Sequence, residues 1–243
     1  MIHDTIKLPP IVKHLRLNKD CWIAGGAALE LLLTGSIRPH NEFIDNDIDV
    51  FFKSKKAAAA WLLRYQGIVY TDGFEKYSGQ SYYANVKFNE LTYKINIVYF
   101  NFDKSPLDTI LGFDLTPCQV ALDYKGNIHI DQENVDDIWN RKMEFIDVDR
   151  SFQERVEYYL QISGYHDMVT SVVNNIKNPI AIATLLKNTD RIKDEIVLDA
   201  HAHAWKVLKK RIMKYQEKGF MPGESIAYAI LKYEGVYENT LDS

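Results

Sequence analysis

The order of apolar and polar positions divides the chain into two parts. The first part alternates short apolar runs of strand type with helix-forming runs, whereas apolar residues recur at helical spacing after about Asp147. We therefore predict an α/β domain over residues 1–147, with a mixed sheet and flanking helices. A helical C-terminal domain is predicted over residues 148–243.

In the first part, β-branched and aromatic residues indicate strands, and runs rich in Ala and Leu indicate helices. Asn89 and Glu90 separate two strand-like runs and predict a hairpin turn. Gly35 follows a helix-like run and predicts its C-cap. The predicted strands are Cys21–Ala24, Ile48–Phe52, Ser81–Phe88, Thr92–Phe100 and Ile128–Ile130, and the predicted helices are Ala27–Leu33, Lys56–Gln66, Pro106–Leu111 and Pro117–Leu122.

The second part contains starting signals for three helices. Ser151 and Glu154 fit a capping box, in which the two side chains bond each other's backbone N–H groups. Proline is favoured in the first turn of a helix, which suggests starts at Pro179 and Pro222. One predicted helix runs from Ser151 to about Ser163, and another starts at Pro179. A long amphipathic helical pattern covers residues 190–218, and a last helix runs from Pro222 to about Tyr233.

Asp47 and Asp49 interrupt a strongly apolar strand. Residues two apart in a strand share a face, so these carboxylates project side by side while Ile48 and Val50 face the core. Adjacent carboxylates repel each other and are costly to desolvate, and a divalent cation between them removes both costs. Mg²⁺ is commonly held by one or two carboxylates together with substrate phosphates. The alternative is a strand end with two solvated aspartates.

Gly25 and Gly26 stand between the first predicted strand and the helix that follows it. Glycine lets the backbone approach a ligand closely, and the N–H groups at a helix start bind anions. A phosphate site beside a two-carboxylate metal site is what a nucleoside triphosphate with Mg²⁺ requires. The alternative for the glycine pair is a plain tight turn.

This order of elements, with two glycines after a strand and Asp-Ile-Asp on the next strand, resembles the signature of the polymerase-beta-like nucleotidyltransferase superfamily. The resemblance covers residues 22–52 well and the rest of the first part by its order of elements. It implies a nucleotidyltransferase-like fold that transfers a nucleoside monophosphate from an NTP to an acceptor hydroxyl with Mg²⁺ or Mn²⁺. It also implies that Gly25 and Gly26 contact the triphosphate, and that Asp47 and Asp49 bind the metal.

The superfamily carries a third carboxylate on a later strand, where it helps to activate the attacking hydroxyl. Alternation along the Thr92–Phe100 strand puts Lys94, Asn96 and Val98 on one face, and Asn96 stands where the acid is expected. An asparagine can ligate a metal through its oxygen, but it carries no charge and cannot act as a base. This position departs from the superfamily pattern.

Asp114 is the best substitute for the third acid, with Asp103 and Asp108 behind it. The alternative role of Asp114 is an N-cap for the predicted helix after it. If no third acid reaches the site, the protein is a catalytically inactive relative that binds nucleotide or acts as a regulatory interaction protein. Both functions stay open on the sequence alone.

The charge distribution adds a candidate acceptor surface. The formal net charge of the 243-residue chain is -4, which excludes a global basic field for nucleic acid. Basic residues are nevertheless concentrated in residues 206–218, which predicts a contact with an RNA or tRNA acceptor through Lys209, Lys210 and Arg211. The alternative is the solvated face of an amphipathic helix.

The remaining composition points to a cytoplasmic protein. Hydrophobic residues make up 47% of the chain, enough for a sizeable core. Cys21 and Cys118 lack a metal-ligand pattern and are predicted to be reduced, buried thiols. No apolar run in the sequence reaches the roughly 18 residues that a membrane-spanning helix needs, and no membrane partner is expected.

Overall fold

The computed structural model describes residues 5–40, 46–63, 69–76, 79–100, 104–162 and 179–237. The chain divides into two compact units, Met1–Asn140 and Arg141–Ser243. The first unit is a mixed sheet with flanking helices, and the second consists mainly of helices. The predicted fold class, an α/β part followed by a helical part, is confirmed.

A seven-stranded sheet forms the centre of the first unit. Its strands follow the spatial order β3-β4-β5-β2-β1-β6-β7, in which β2 and β5 are parallel and the other neighbours are antiparallel. The strands are β1 (Cys21–Ala24), β2 (Asp47–Phe52), β3 (Val69–Lys76), β4 (Gly79–Phe88), β5 (Leu91–Phe100), β6 (Val120–Leu122) and β7 (Ile128–Ile130). The helices are α1 (Pro10–Leu15), α2 (Gly26–Thr34), α3 (Lys55–Leu62), α4 (Pro106–Leu111) and α5 (Val135–Trp139).

Local signals in the sequence produce the β4–β5 hairpin and the end of α2. Asn89 and Glu90 have φ angles of 48° and 64°, the left-handed pair whose twist matches that of the flanking strands. Gly35 has φ 72° and donates its N–H to the carbonyl of Leu31 at 2.9 Å. The predicted hairpin and the predicted C-cap are therefore confirmed.

The two faces of the central strands are packed differently. On one face of β5, Tyr93, Ile95 and Ile97 are buried. On the other face, Phe51 of β2 belongs to a buried cluster. Asp47 and Asp49 lie on this same face, because Asp47, Asp49 and Phe51 are spaced two residues apart along the strand. That cluster consists of Trp22, Ala24, Phe51, Ile110 and Ala121, with Val98, Leu107 and Phe113 packed against it.

Two helix predictions in the first unit need correction. The predicted helix Pro117–Leu122 is wrong, because Thr116–Cys118 forms a short 3₁₀ helix and Val120–Leu122 is strand β6. Strand β6 pairs with β1 on one side and β7 on the other, and these ladder hydrogen bonds outweigh the local helix signal. The predicted helix Lys56–Gln66 begins at Lys55 and ends at Leu62, and residues 64–66 lie outside the described residues.

Within the described residues, the second unit contains three long helices and one small parallel strand pair. No helix within the described ranges is both long enough and apolar enough to cross a bilayer. The elements are β8 (Lys142–Met143), α6 (Val148–Ile162), α7 (Pro179–Glu217), β9 (Met221–Pro222) and α8 (Glu224–Tyr237).

The capping box predicted at Ser151 is wrong, because α6 begins at Val148. Asp147 caps this helix, since its Oδ1 accepts the Arg150 N–H at 2.9 Å. The Ser151 hydroxyl donates back to the Asp147 carbonyl at 2.5 Å, as a residue inside the first turn does. A carboxylate four residues upstream therefore takes the place of the predicted serine.

The last helix also begins later than predicted. Pro222 belongs to strand β9, and α8 begins at Glu224. The Glu144 carboxylate accepts the N–H groups of Glu224 and Ser225 at 3.1 and 2.9 Å and also the Ser225 hydroxyl. The start of α8 is thus fixed by an acid distant in sequence, which no local pattern reveals.

Candidate functional site

Asp47 and Asp49 are the first and third residues of β2, and both side chains are half-buried. In the parallel pairing of β2 with β5, Asp47 lies opposite Lys94 and Asp49 lies opposite Asn96. Phe51, two residues beyond Asp49 on the same face of β2, belongs to the buried apolar cluster, whereas the two aspartates do not. The two carboxylates therefore lie at the polar end of a sheet face whose other end is packed.

Asn96 contacts Asp49 directly, as the alternation along β5 predicts. Its side chain is buried, and its Nδ2 donates to Asp49 Oδ1 at 2.7 Å. Its Oδ1 is also buried and has no hydrogen-bond partner among the described residues. A buried carbonyl oxygen without a partner costs about 1–3 kcal/mol. Asn96 therefore orients one carboxylate and keeps one oxygen available to a ligand, but it cannot take up a proton.

Gly25 packs against the same carboxylate. A Cβ atom built at Gly25 would lie 3.7 Å from Asp49 Oδ2 and 3.9 Å from a ring carbon of Phe113. Its φ of 78° and ψ of −142° belong to a region that is essentially restricted to glycine. The turn between β1 and α2 is thereby held against Asp49 in a conformation that other residues adopt only with strain.

The N–H groups of this turn divide into two sets. The Gly25 N–H donates to the Val120 carbonyl at 2.9 Å, so it belongs to the sheet and does not serve a ligand. Gly26 is the first residue of α2, and α-helix geometry leaves the first-turn N–H groups without partners inside the helix. An anion at this turn would therefore be bound by the N–H groups from Gly26 onward, while Gly25 permits its close approach.

The oxygen atoms at this site fit a hard cation that a substrate helps to bind. Among the described residues, no three His, Cys, Asp or Glu side chains are grouped so that they could hold a metal ion by themselves. Asp47 and Asp49 supply two carboxylates, and Asn96 supplies a carbonyl oxygen without a partner among the described residues. Mg²⁺ prefers oxygen ligands and commonly completes its coordination with phosphates and water.

The candidate third acids lie in three different situations. Asp114 is half-buried directly after Phe113, and it does not complete a three-acid metal group among the described residues. Its alternative role as an N-cap is wrong, because Leu115 occupies the N-cap position of the 3₁₀ helix after it, without a side-chain capping bond. Asp108 forms a capping box with Ser105 at the start of α4. Asp103 lies outside the described residues.

The capping box also affects the pKa of Asp108. Hydrogen bonds from the Ser105 hydroxyl and the Ser105 backbone N–H hold this pKa below its usual range. Asp108 is thereby occupied in fixing the helix start. It offers no raised pKa of the kind that a general base near neutral pH needs.

A buried carboxylate on α2, missed by the sequence reasoning, holds the chain immediately before Asp47. Glu30 Oε1 lies 2.6 Å from Arg38 Nε, and Glu30 Oε2 accepts the Asn46 Nδ2 at 3.1 Å. The same Asn46 amide donates to the Arg38 carbonyl at 3.1 Å. Arg38 and Asn46 are therefore both anchored to Glu30 of α2. The available signal was a lone acid within an otherwise apolar helix.

The basic residues proposed as acceptor-binding lie on α7 but do not share one surface. Lys210 is exposed, together with Lys206 one turn before it. Lys209 Nζ forms an ion pair with Glu234 Oε1 at 2.6 Å, and Arg211 is half-buried. Lys210 is thus the member of the predicted set with the most exposed position.

The described fold and site define a mixed-sheet α/β protein in which a glycine turn contacts one of two neighbouring carboxylates. Residues 3–141, more than half of the chain, match the model of the Gabija anti-defense 2 protein family. The chain therefore belongs to the Gabija anti-defense 2 family. The matched residues include the glycine turn, both aspartates and Asn96.

Among the solved structures that are similar to this chain is the CCA-adding enzyme of Bacillus stearothermophilus in complex with CTP. The similarity has a TM-score of 0.42 and 19% sequence identity, and it covers 61% of this chain. It covers 36% of the enzyme, so this chain matches little more than a third of that protein's length. No curated protein sequence matches the chain.

Proposed function

We propose that this protein is a Mg²⁺-dependent nucleotidyltransferase that transfers a nucleoside monophosphate from an NTP to an acceptor hydroxyl. The observation that carries the proposal is the 3.7 Å between Asp49 Oδ2 and a Cβ atom built at Gly25. It brings an anion-binding type of turn and a cation-binding type of carboxylate pair into one site. A metal-bound triphosphate needs both at once.

In the proposed reaction, Asp47 and Asp49 hold the metal and the α2 N-terminus from Gly26 onward contacts the phosphates. A Mg²⁺ ion held by these two carboxylates would lower the pKa of the acceptor hydroxyl and stabilise charge on the leaving group. The acceptor oxygen forms a bond to the α-phosphorus, and the bond from this phosphorus to the bridging oxygen of the β-phosphate breaks. Pyrophosphate leaves, and the hydroxyl proton passes to water or to Asp114.

Asn96 has a different part in this proposal from the superfamily's third acid. Its amide donates to Asp49 Oδ1 and so fixes the carboxylate's orientation. Its buried Oδ1 is able to accept a hydrogen bond from the acceptor hydroxyl, but it cannot remove the proton. We therefore expect transfer to be slow near neutral pH and to rise with hydroxide concentration, unless Asp114 acts as the base.

The family to which the chain belongs is described by its role in Gabija anti-defense. We propose that the acceptor is a molecule of the Gabija defence and that its modification is the means of counteracting it. The hydroxyl could belong to an RNA or tRNA, to a protein side chain or to a small molecule. If the acceptor is RNA, exposed Lys210 is the residue of the basic set best placed to contact its phosphates, with Lys209 and Arg211 beside it.

The test offers each of the four NTPs, labelled at the α-phosphate, with Mg²⁺ and lysate from cells that carry or lack Gabija. Label that enters a macromolecule only with metal, and only with wild-type protein rather than Asp49→Asn, supports the proposal. Label in the Gabija lysate alone identifies the acceptor's origin. If calorimetry detects no binding of any NTP with Mg²⁺, both the activity and the nucleotide site are refuted.

A second candidate is a catalytically inactive relative that binds nucleotide and acts through protein contacts. The specific observation in its favour is Asn96, an amide bonded to Asp49 at the position where the superfamily has an acid. Under this hypothesis NTP binds with Mg²⁺, no acceptor is labelled, and Asp114→Asn has no effect on binding. The labelling experiment therefore separates the two candidates without further assumptions.

A further inference from the structure

Two rows of polar side chains cross three strands at the candidate site. The first row joins Asp49 of β2, Asn96 of β5 and Tyr83 of β4, and the second joins Asp47, Lys94 and Asn85. Residues paired across neighbouring strands share a face, so all six side chains project from the same side of the sheet.

Lys94 brings a positive charge into these rows. Its side chain is half-buried, and its Nζ lies 4.7 Å from the centre of the Tyr83 ring, which belongs to the Asp49 row. The ammonium therefore leans from its own row toward the one that contains Asp49 and Asn96. An ammonium over a tyrosine face gains electrostatic attraction from the ring.

Resting on the proposed function, we propose that Lys94 is a phosphate-binding residue of the site and takes the electrostatic place of a second cation. Two carboxylates and one ammonium leave a net charge of about −1 at the two rows, which suits one divalent ion. A triphosphate carries more negative charge than one divalent ion neutralises. Lys94 supplies the additional positive charge from the protein itself, and its three donors suit phosphate oxygens.

The competing explanation is that Lys94 only neutralises Asp47. The two roles predict different signs when the charge is removed. Without the ammonium, a metal ion alone binds more tightly in both cases, because one repulsive charge is gone. A nucleotide binds more weakly only if Lys94 contacts its phosphates. If Lys94 is merely structural, nucleotide affinity follows metal affinity upward or stays unchanged.

The experiment measures Mn²⁺ alone by electron paramagnetic resonance, and α,β-methylene-ATP with Mg²⁺ by calorimetry, on the full chain. For Lys94→Met we expect Mn²⁺ affinity to rise about threefold and nucleotide affinity to fall about tenfold, the size of one charge-assisted contact. Lys94→Arg keeps the charge and should bind nucleotide within about threefold of wild type.

Lys87→Met is the matched control, since it removes the same charge from β4 at an exposed position outside both rows. A nucleotide effect as large in Lys87→Met as in Lys94→Met would indicate a general field and overturn the proposal. Unchanged nucleotide affinity in Lys94→Met, with the wild type binding, overturns it while leaving the nucleotidyltransferase function intact. Absence of nucleotide binding by wild type overturns both. Circular dichroism at the binding temperature verifies that each variant is folded.

Discussion

The two units of the chain use their carboxylates in different ways. In the second unit, Glu144 accepts two backbone N–H groups at the start of α8, and Asp149 contacts Lys232 and Tyr233 of that same helix at 2.6 and 2.7 Å. In the first unit, Asp49 faces the Asn96 amide on one side and the backbone of Gly25 on the other. The former acids fix a helix, whereas the latter borders a glycine turn.

The two acids that fix helix α8 both have lowered pKa values. Burial raises the pKa of Glu144, but hydrogen bonds from Lys142 and from the Ser225 side chain and N–H outweigh it and hold the pKa below its usual range. Hydrogen bonds from Lys232 and Tyr233 likewise lower the pKa of Asp149. Helix α8 supplies donors to both acids, and Lys142 of β8 supplies a further one to Glu144. An acid surrounded in this way is a structural anchor and a poor candidate for catalysis.

The comparison is tested most strongly by neutralising the site acids. Asp47→Asn and Asp49→Asn should each lower the transfer rate about a hundredfold or more, because a metal-bound site contributes several kcal/mol to the barrier at about 1.4 kcal/mol per tenfold. The rate is measured with α-labelled NTP and the acceptor found by labelling. Asp114→Asn is compared in the same assay, and a rate near that of wild type removes it as the base. Retention of full activity in both site variants contradicts the metal assignment.

Removal of Glu144 should affect the stability of the fold rather than the activity of the site. Glu144→Ala leaves the first N–H groups of α8 without their acceptor and is expected to cost about 2 kcal/mol of unfolding free energy. For a chain of this size the midpoint of thermal unfolding then falls by roughly 2–4 °C per kcal/mol. Nucleotide affinity should be unchanged. Glu217→Ala, which removes an exposed acid from α7, is the matched control.

A large loss of nucleotide affinity in Glu144→Ala, without unfolding, would contradict the division into anchoring and ligand-binding acids. The division would also fail if Asp49→Asn lowered the unfolding midpoint as much as Glu144→Ala does. Asp49→Asn removes the repulsion with Asp47, so we expect it to cause no loss of stability.

The sequence predicted those parts of the site that depend on local alternation. Asp49 and Asn96 lie side by side because each alternates with buried apolar neighbours along its strand. This alternation can be read directly from the amino-acid sequence. Which strands become neighbours is a long-range property, but the parallel pairing of β2 with β5 kept both polar positions on one face. The sequence has an asparagine where an acid was expected at position 96, and the structure leaves that conclusion unchanged.

Other parts could not be predicted, because they depend on contacts between distant segments. Val120–Leu122 is a short segment in a helix-like sequence context. It forms a strand because it pairs with β1 on one side and with β7 on the other. Asp147 caps α6, although the local motif indicates Ser151 instead. Glu144 caps α8 from a position that no local motif indicates. Glu30 bonds to Asn46, sixteen residues later in the sequence, and no local motif indicates this pairing.

Glu30 is an anchoring acid that acts next to the candidate site, because it holds Asn46, the residue before Asp47. Glu30→Gln keeps the shape of the side chain but removes the charge that faces Arg38. Because Arg38 is half exposed, we expect a loss of only about 1 kcal/mol of unfolding free energy. Mn²⁺ affinity should fall about threefold as Asp47 becomes less well positioned. Exposed Glu133→Gln is the control, and equal effects in the two variants would remove the positioning role.

The smallest expected effect is a pH dependence that belongs to the second unit. The rings of His201 and His203 lie 5.4 Å from Phe152 and 4.5 Å from Tyr159, between centroids. Burial lowers the pKa of both, and for His203 the nearby charge of Lys206 lowers it further. The unfolded chain therefore binds protons more readily than the folded one.

The sign follows from this difference in proton binding. The stabilising contribution of the two neutral rings is present above the unfolded pKa of about 6.5, and it is lost as pH falls below that value. We expect the midpoint of thermal unfolding to decrease between pH 7.5 and 5.5. The double variant His201→Gln, His203→Gln should flatten that slope, because glutamine does not titrate. The anchoring acids lose their contributions only at lower pH, since their pKa values lie below the usual range. An unchanged slope in the double variant would assign the effect to other groups.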